Sequence, residues 1–478
     1  MALPSLDERH FYGAGWQRAA SSFAITNPAT GEPFAEVADC GPQEAAQAAE
    51  VAWSAFSEWS KATAFERAAL LTRWRDLILD NQEALAQMMT AEMGKPIRES
   101  RGEVAYAAGF VSWYAEEAKR AYGEVMPSHA ANKRLLALRQ PVGPVFAVTP
   151  WNFPAAMVTR KAAPALAAGC SFVLKPAEQT PLSALYLAAL WEEAGGPAGT
   201  LQVLPCFDPV PVTETLMRDE RIRKVTFTGS TEVGKLLYSQ AADTVKRISL
   251  ELGGHAPFIV FGDADLDKAV AEVIASKFRN TGQTCVCANR IFVQEGILDA
   301  FAERYAEAAS NLKVGDPTQD DTDLGPLVDQ EGLDKVRAHV SDALAKGAEL
   351  VTGGSALSGL YFEPTVLKRV TAEMQLMQEE TFGPVAPLIS FKDEAEALKQ
   401  ANSVPYGLAA YFYTQNLSRA YRVAENLEYG IIGVNDGLPS APHAPFGGVK
   451  QSGLGREGGP WGLEEYLEVK YVSFGLDG

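Results

Sequence analysis

Apolar positions along this chain follow two alternating periods. From about Gly41 to Arg120 they return every third or fourth residue, as in Ala45-Ala46-Gln47-Ala48-Ala49-Glu50-Val51-Ala52-Trp53, which predicts a mainly helical region. Pro141 to Pro150 is then a short apolar run rich in β-branched residues between turn formers, and it predicts a buried strand with a loop at its carboxyl end. Beyond it the pattern alternates: strands over Ser171–Lys175, Leu201–Leu204, Lys224–Thr228 and Arg247–Glu251, with helices from Leu182 to Ala194 and Val233 to Ala242. A second cycle runs from strand Pro257–Phe261 through helix Leu266–Phe278 and a polar turn at Cys285 to strand Arg290–Val293 and helix Leu298–Leu312. Such alternation predicts an α/β fold of right-handed crossovers, with parallel sheets covered by helices on both faces. Gly353–Gly359 reads as a surface loop. The tail Leu467–Phe474 alternates like a strand without an obvious sheet of its own, so pairing with another subunit is one outlet for its edge.

Composition narrows the partners. The 478 residues exceed one hydrophobic core, and 47% hydrophobic with 21% charged residues is ordinary for a soluble globular protein. The formal net charge of -18 repels phosphate backbones and anionic lipid, so nucleic acid and membrane partners are not expected. No run reaches a spanning helix, and Met1–His10 lacks the basic-then-apolar order of a secretory signal. The five cysteines, Cys40, Cys170, Cys206, Cys285 and Cys287, are odd in number and scattered, and none joins a histidine at zinc spacing. A reduced, cytoplasmic protein without a metal is expected.

Ligands of open parallel sheets lie beyond the carboxyl ends of the strands, and four such ends carry chemistry. Gly229-Ser230-Thr231-Glu232-Val233-Gly234-Lys235 opens a helix whose N–H groups can hold an anion. Leu236 stands where a P-loop needs Ser or Thr, so a dinucleotide pyrophosphate fits better than a P-loop nucleotide, with a plain helix cap as the alternative. Lys175-Pro176-Ala177-Glu178 can clasp ribose hydroxyls or form a solvated ion pair. If Glu178 faces the adenosine ribose, it repels a 2′-phosphate and favours NAD over NADP. In Pro150-Trp151-Asn152-Phe153-Pro154 the prolines restrict the backbone and the rings exclude water, so Asn152 is either an oxyanion donor or a turn residue. Glu251-Leu252-Gly253-Gly254 ends a strand with a carboxylate that is a general base if its neighbours are apolar, or simply an exposed strand end. Cys285 sits in the glycine-containing turn Arg279 to Cys287, where a thiol can be reached by substrate, although most free cysteines are buried and inert.

These segments, with Glu380-Thr381-Phe382-Gly383-Pro384 and Pro445-Phe446-Gly447-Gly448-Val449-Lys450-Gln451-Ser452-Gly453, occur in an order that resembles the NAD(P)-dependent aldehyde dehydrogenase superfamily over essentially the whole chain. The resemblance implies a Rossmann-type NAD-binding domain (1–120 and 141–251), an α/β catalytic domain (252–440) and a small β oligomerisation domain (121–140 and 460–478), assembled as a homodimer or homotetramer. It implies that Cys285 attacks the aldehyde, that Asn152 and the Cys285 N–H hold the oxyanion, and that Glu251 activates the water that hydrolyses the thioester. Glu457 is implied as a secondary carboxylate on the water or proton path. Thr149, Trp151, Lys175, Glu178, Gly229, Ser230, Glu380 and Phe382 are implied to hold the cofactor, with NAD favoured and NADP the competitor.

Within that superfamily, Lys277 to Cys287 together with Arg160 looks like the succinate-semialdehyde dehydrogenase branch, in which two arginines and a serine bind the distal carboxylate. Arg160, Arg279 and Ser440 occupy the matching positions, and an arginine fork suits a carboxylate. The expected reaction is oxidation of succinate semialdehyde to succinate. Glutarate semialdehyde and 2-oxoglutarate semialdehyde are the nearest rivals. A non-enzymatic protein of the same fold is argued against by Cys285, Glu251 and Asn152 together. Cys287 is expected to line the pocket as a small side chain, or to form a reversible disulfide with Cys285 as in some relatives of this branch.

Overall fold

A computed structural model describes residues 10–477. Residues 1–9, most of the segment read for a secretory signal, lie outside the described residues. The β-branched runs form the core of an eight-stranded sheet in the order Gly453–Leu454, Arg247–Glu251, Lys224–Thr228, Val145–Val148, Phe172–Lys175, Leu201–Val203, His10–Tyr12 and Trp16–Arg18. The five strands from Arg247–Glu251 to Leu201–Val203 are parallel, and the two ends of the sheet are closed by antiparallel strands. A second, seven-stranded sheet is built from Glu349–Thr352, Thr365–Lys368, Val385–Phe391, Ala288–Gln294, Ala256–Val260, Ala409–Tyr413 and Ile431–Val434. All but its first strand run parallel.

Helix Leu266–Phe278 has the bounds that its apolar period predicts. The helix expected from Val233 starts two residues earlier, at Thr231, because the Ser230 hydroxyl caps it by accepting the Val233 N–H at 3.3 Å. The first strands, His10–Tyr12 and Trp16–Arg18, and the helix Pro209–Arg218 have no counterpart in the sequence-based expectation.

The expectation that the tail lacks a sheet of its own is overturned. Leu467–Gly475 pairs antiparallel with Lys133–Pro141 along its whole length, from Leu467 opposite Pro141 to Gly475 opposite Lys133. Glu124–Met126 completes this three-stranded sheet. The outer edge of the tail strand stays open, and Val469, Tyr471 and Phe474 are exposed along it.

Helix Ala156–Ala168 matters most for the site. Its thirteen residues are all buried, and its many alanines let it lie close against helix Ile97–Glu117. Two cations, Arg160 and Lys161, are buried with it. Burying an ion costs several kcal/mol unless a counter-charge meets it, and Glu457 supplies that charge to both.

Candidate active site

Cys285 stands at the end of a backbone turn that few residue types adopt. Asn280, Thr281 and Gly282 take φ of 52°, 58° and 78°, and left-handed backbone is a genuine outlier for a β-branched residue such as Thr281. The turn is held from outside. Glu99 accepts the Asn280 N–H at 2.7 Å, Thr281 Oγ1 donates to the Gly325 carbonyl at 3.2 Å, and the Gln283 side chain bridges the Asn280 carbonyl and the Val328 N–H. A β-carbon at Gly282 would lie 2.3 Å from the Gly383 carbonyl oxygen, and one at Gly254 would lie 2.4 Å from that of Cys285. The glycines after Glu251 therefore let the two loops touch.

Two cavities meet at this turn, and Cys285 is the one residue lining both among the described residues. The first, of about 340 Å³, is walled by Tyr106, Phe153, Met157 and Phe446, carries Arg160, Arg279 and Ser440, and is also lined by the carboxylate residues Glu99 and Glu103. The Arg160 guanidinium stacks 4.1 Å from the Phe446 ring centre, and that of Arg279 lies 5.1 Å from the Phe153 ring. Arg279 Nε is buried without a hydrogen-bond partner. The three residues predicted to read a carboxylate therefore share one cavity, whose aromatic and Met157 walls leave charge weakly screened and whose lining also includes those two carboxylates.

The second cavity, of about 360 Å³, is lined by Trp151, Asn152, Gly229, Ser230, Glu380 and Phe382. Trp151 and Phe382 meet edge to face at 5.5 Å. Thr149, Lys175 and Glu178 do not line it. They stand at adjacent strand ends, where the Thr149 N–H donates to the Lys175 carbonyl at 3.3 Å. Lys175 and Glu178 pair with each other at 2.9 Å, so the ion-pair reading of that motif holds at least here. Gln179, Asp329, Glu331 and Lys335 also line this cavity and were missed. The last three lie on or beside the first turns of helix Gln330–Ala345, whose sequence looks like any solvated helix.

The Asn152 amide donates to the Gln283 carbonyl at 3.2 Å, two residues before Cys285. Glu251 lines neither cavity. It is buried at its strand end, and its Oε2 has no hydrogen-bond partner. Burial, and next the Glu457 carboxylate, raise its carboxyl well above the ordinary range, against the opposing charge of Arg160 and Lys161. Burial alone would raise Glu457 too, but Arg160 at 2.5 Å and Lys161 outweigh it and hold Glu457 below that range. Burial pushes the Cys285 thiol up to about 12, with Glu380 and Glu251 adding to the rise while Arg160 and Arg279 oppose it. Burial likewise pushes Glu380 up to about 8.

Cys287 is not a pocket residue. It is fully buried behind the turn, where its thiol lies 3.3 Å from Lys277 Nζ and donates to the Lys277 carbonyl at 3.4 Å. The Cys287 N–H donates to the Thr284 carbonyl at 3.0 Å, closing a turn that carries Cys287 into the core, and all five cysteines are free thiols. Cys287→Ala and the parent should therefore lose activity to peroxide at the same rate and recover equally with dithiothreitol. Marked protection by the substitution would instead demand a Cys285–Cys287 disulfide.

The sequence pattern described as "Aldehyde dehydrogenase family" matches residues 16–472. The chain is 54% identical to 3-sulfolactaldehyde dehydrogenase of Pseudomonas putida, covering 98% of this chain and 97% of the relative. It is 54% identical to glutarate-semialdehyde dehydrogenase of Pseudomonas putida KT2440, covering 94% and 93%. With succinate-semialdehyde dehydrogenase [NADP(+)] GabD of Escherichia coli K12 the identity is 53%, over 95% and 94%. The solved structure of succinate-semialdehyde dehydrogenase from Burkholderia pseudomallei superposes with a TM-score of 0.98 at 51% identity, covering 100% of both chains.

Proposed function

The chain belongs to the aldehyde dehydrogenase family, and we propose that it oxidises succinate semialdehyde to succinate with NAD as the hydride acceptor. One observation carries the reading: among the described residues Cys285 alone is common to two cavities, one ending on Arg160, Arg279 and Ser440 and the other opening along Gly229, Glu380 and Phe382. Related enzymes of near-equal identity are named for a glutarate, a succinate and a sulfolactate aldehyde, all bearing an anionic group. An anion clamp is common ground for those names, and the chain-length rivals remain glutarate and 2-oxoglutarate semialdehyde.

The second cavity suits a dinucleotide. Glu380 Oε1, Thr228 Oγ1 and Gln179 Oε1 are buried there without partners, and a β-carbon at Gly229 would lie 2.4 Å from the Phe227 ring. Glu380 would take the nicotinamide ribose with Phe382 and Trp151 beside it, and Gly229 and Ser230 the pyrophosphate at the helix start. Thr149, Lys175 and Glu178 would take the adenosine end, Glu178 disfavouring a 2′-phosphate and so NADP, the cofactor in the E. coli relative's name. When bound, the nicotinamide ring supplies the hydride acceptor.

The residues do the rest. Once the Cys285 thiol has lost its proton to solvent, the thiolate sulfur bonds to the aldehyde carbon, and the oxygen, now anionic, is held by the Asn152 amide and the Cys285 N–H. Loss of hydride from that carbon leaves a thioester. Glu251 takes a proton from water as it attacks the thioester carbon; the C–S bond breaks, the acid leaves and Cys285 is regenerated. Arg160, Arg279 and Ser440 meanwhile hold the distal carboxylate and so fix the aldehyde carbon at sulfur. Glu457, kept ionised by Arg160 and Lys161, holds Arg160 in place and raises the proton affinity of Glu251.

A base with a raised pKa works only when ionised. Turnover should therefore climb as pH rises beyond the ordinary carboxyl range, where Glu251 ionises late, and go on climbing because Cys285 is mostly thiol below about 12. Glu251→Gln should lower kcat about 10²–10⁴-fold, remove the Glu251 part of that rise while the Cys285 part stays, and leave a single burst of NADH as the thioester accumulates. A flat parent profile above neutrality, or a variant without the burst, contradicts the assignment.

We also infer that the protein is a cytoplasmic homodimer or homotetramer, joined through the sheet of Lys133–Pro141 and Leu467–Gly475 with its exposed apolar edge. Among the described residues no helix is long and apolar enough to cross a membrane. The division proposed is a cofactor domain (1–120, 141–251), a catalytic domain (252–440) and oligomerisation segments (121–140, 460–478).

A further inference from the structure

Lys95 and Glu103 form an ion pair that is almost completely buried. Neither is required by the chemistry above. Taking two charges out of water is expensive, and well-packed apolar residues commonly serve stability as well or better. What distinguishes this pair is where its remaining bonds go. Lys95 Nζ donates to the Asn152 backbone carbonyl at 2.9 Å and sits 3.8 Å over the Phe153 ring. The second oxygen of Glu103 accepts the N–H groups of Ala155 at 2.9 Å and Ala156 at 3.1 Å. Every hydrogen bond recorded for the two side chains thus runs either between them or to residues 152–156.

The Asn152 carbonyl is part of a closed ring. Asn280 Nδ2 donates to it at 3.0 Å and to the Gln283 carbonyl at 3.1 Å, and the Asn152 amide returns to that same Gln283 carbonyl at 3.2 Å. The ring joins the Asn152 loop to the turn that ends at Cys285. Turning the Asn152 peptide would break this ring, and the ammonium of Lys95, bonded to its carbonyl, opposes that rotation. Glu103 fixes the other end of the segment by capping the helix that carries Arg160.

We propose that Lys95 and Glu103 are positioning residues that hold the Asn152 amide where the oxyanion forms. The proposal rests on the reading of Asn152 as oxyanion donor and Cys285 as nucleophile. Misplacing a reacting group by about 1 Å can cost about 10²-fold in rate. The variant Lys95→Met with Glu103→Gln removes both members of the pair together and leaves Glu99 to Arg279 and Arg98. It should fold and bind NAD with the parent's affinity, while kcat falls about 10²-fold and KM changes much less. Alkylation of Cys285 by iodoacetamide, which builds no oxyanion, should keep the parent's rate. Glu103→Gln alone, which preserves shape, should give the same split at smaller amplitude and stands in if the double variant does not fold.

Added to Asn152→Ala, the double substitution should cost nothing more. A kcat within about threefold of the parent, or an equal loss in alkylation rate, overturns the proposal. If Asn152→Ala loses turnover while the paired variant keeps it, the positioning role alone fails. If Asn152→Ala itself turns over normally, the oxyanion assignment fails and takes the proposal with it.

Discussion

Replacing Cys285 by alanine is expected to lower aldehyde turnover by at least about 10⁴-fold, the scale on which removing an enzyme nucleophile acts. The change removes the thiol of the one residue, among the described residues, that lines both cavities and leaves the left-handed turn before it intact, because that turn is held by Glu99, Gln283 and Gly325 rather than by the thiol. Cofactor binding should survive, since Gly229, Glu380, Phe382 and Lys335 line the second cavity independently of the sulfur. Titration with NAD by fluorescence alongside turnover separates the two. Substantial residual dehydrogenase activity would remove Cys285 from the mechanism.

The second large effect concerns Arg279. Arg279→Leu should lower kcat/KM for succinate semialdehyde on the order of 10²–10³-fold, since truncating one partner of a buried, hydrogen-bonded charge pair costs about 2–5 kcal/mol. Butanal, equal in length but neutral, should change by no more than about threefold. Arg279 is a cleaner probe than Arg160, because removing Arg160 also strips a counter-charge from Glu457 and so disturbs Glu251. Equal losses on both aldehydes would mean that Arg279 shapes the turn rather than reads the carboxylate.

The sequence pattern makes the strand ends legible because β-branched runs bounded by Pro and Gly are local signals. Pro150–Pro154, Gly229–Lys235 and Glu251–Gly254 all lie where a parallel sheet presents its ligands. What it leaves hidden depends on distance along the chain. The tail strand finds Lys133–Pro141 more than three hundred residues upstream, and nothing in either run announces the other. Nothing local marks Lys95, in the loop before helix Ile97–Glu117, or Glu103, within that helix, because only tertiary packing buries them against residues 152–156. Arg160 is legible through the resemblance to the succinate-semialdehyde dehydrogenase branch, whereas its bond to Glu457 is not. Cys287 misled for a geometric reason: two residues beyond Cys285, the chain has already turned into the core.

The central claim, a thiol nucleophile served by an anion clamp, is tested most directly by the parent enzyme's kcat/KM for succinate semialdehyde against butanal, followed by NADH formation. Two arginines and a serine on the distal carboxylate predict a preference on the order of 10²–10³-fold for the semialdehyde. Equal efficiency on the two aldehydes would contradict it.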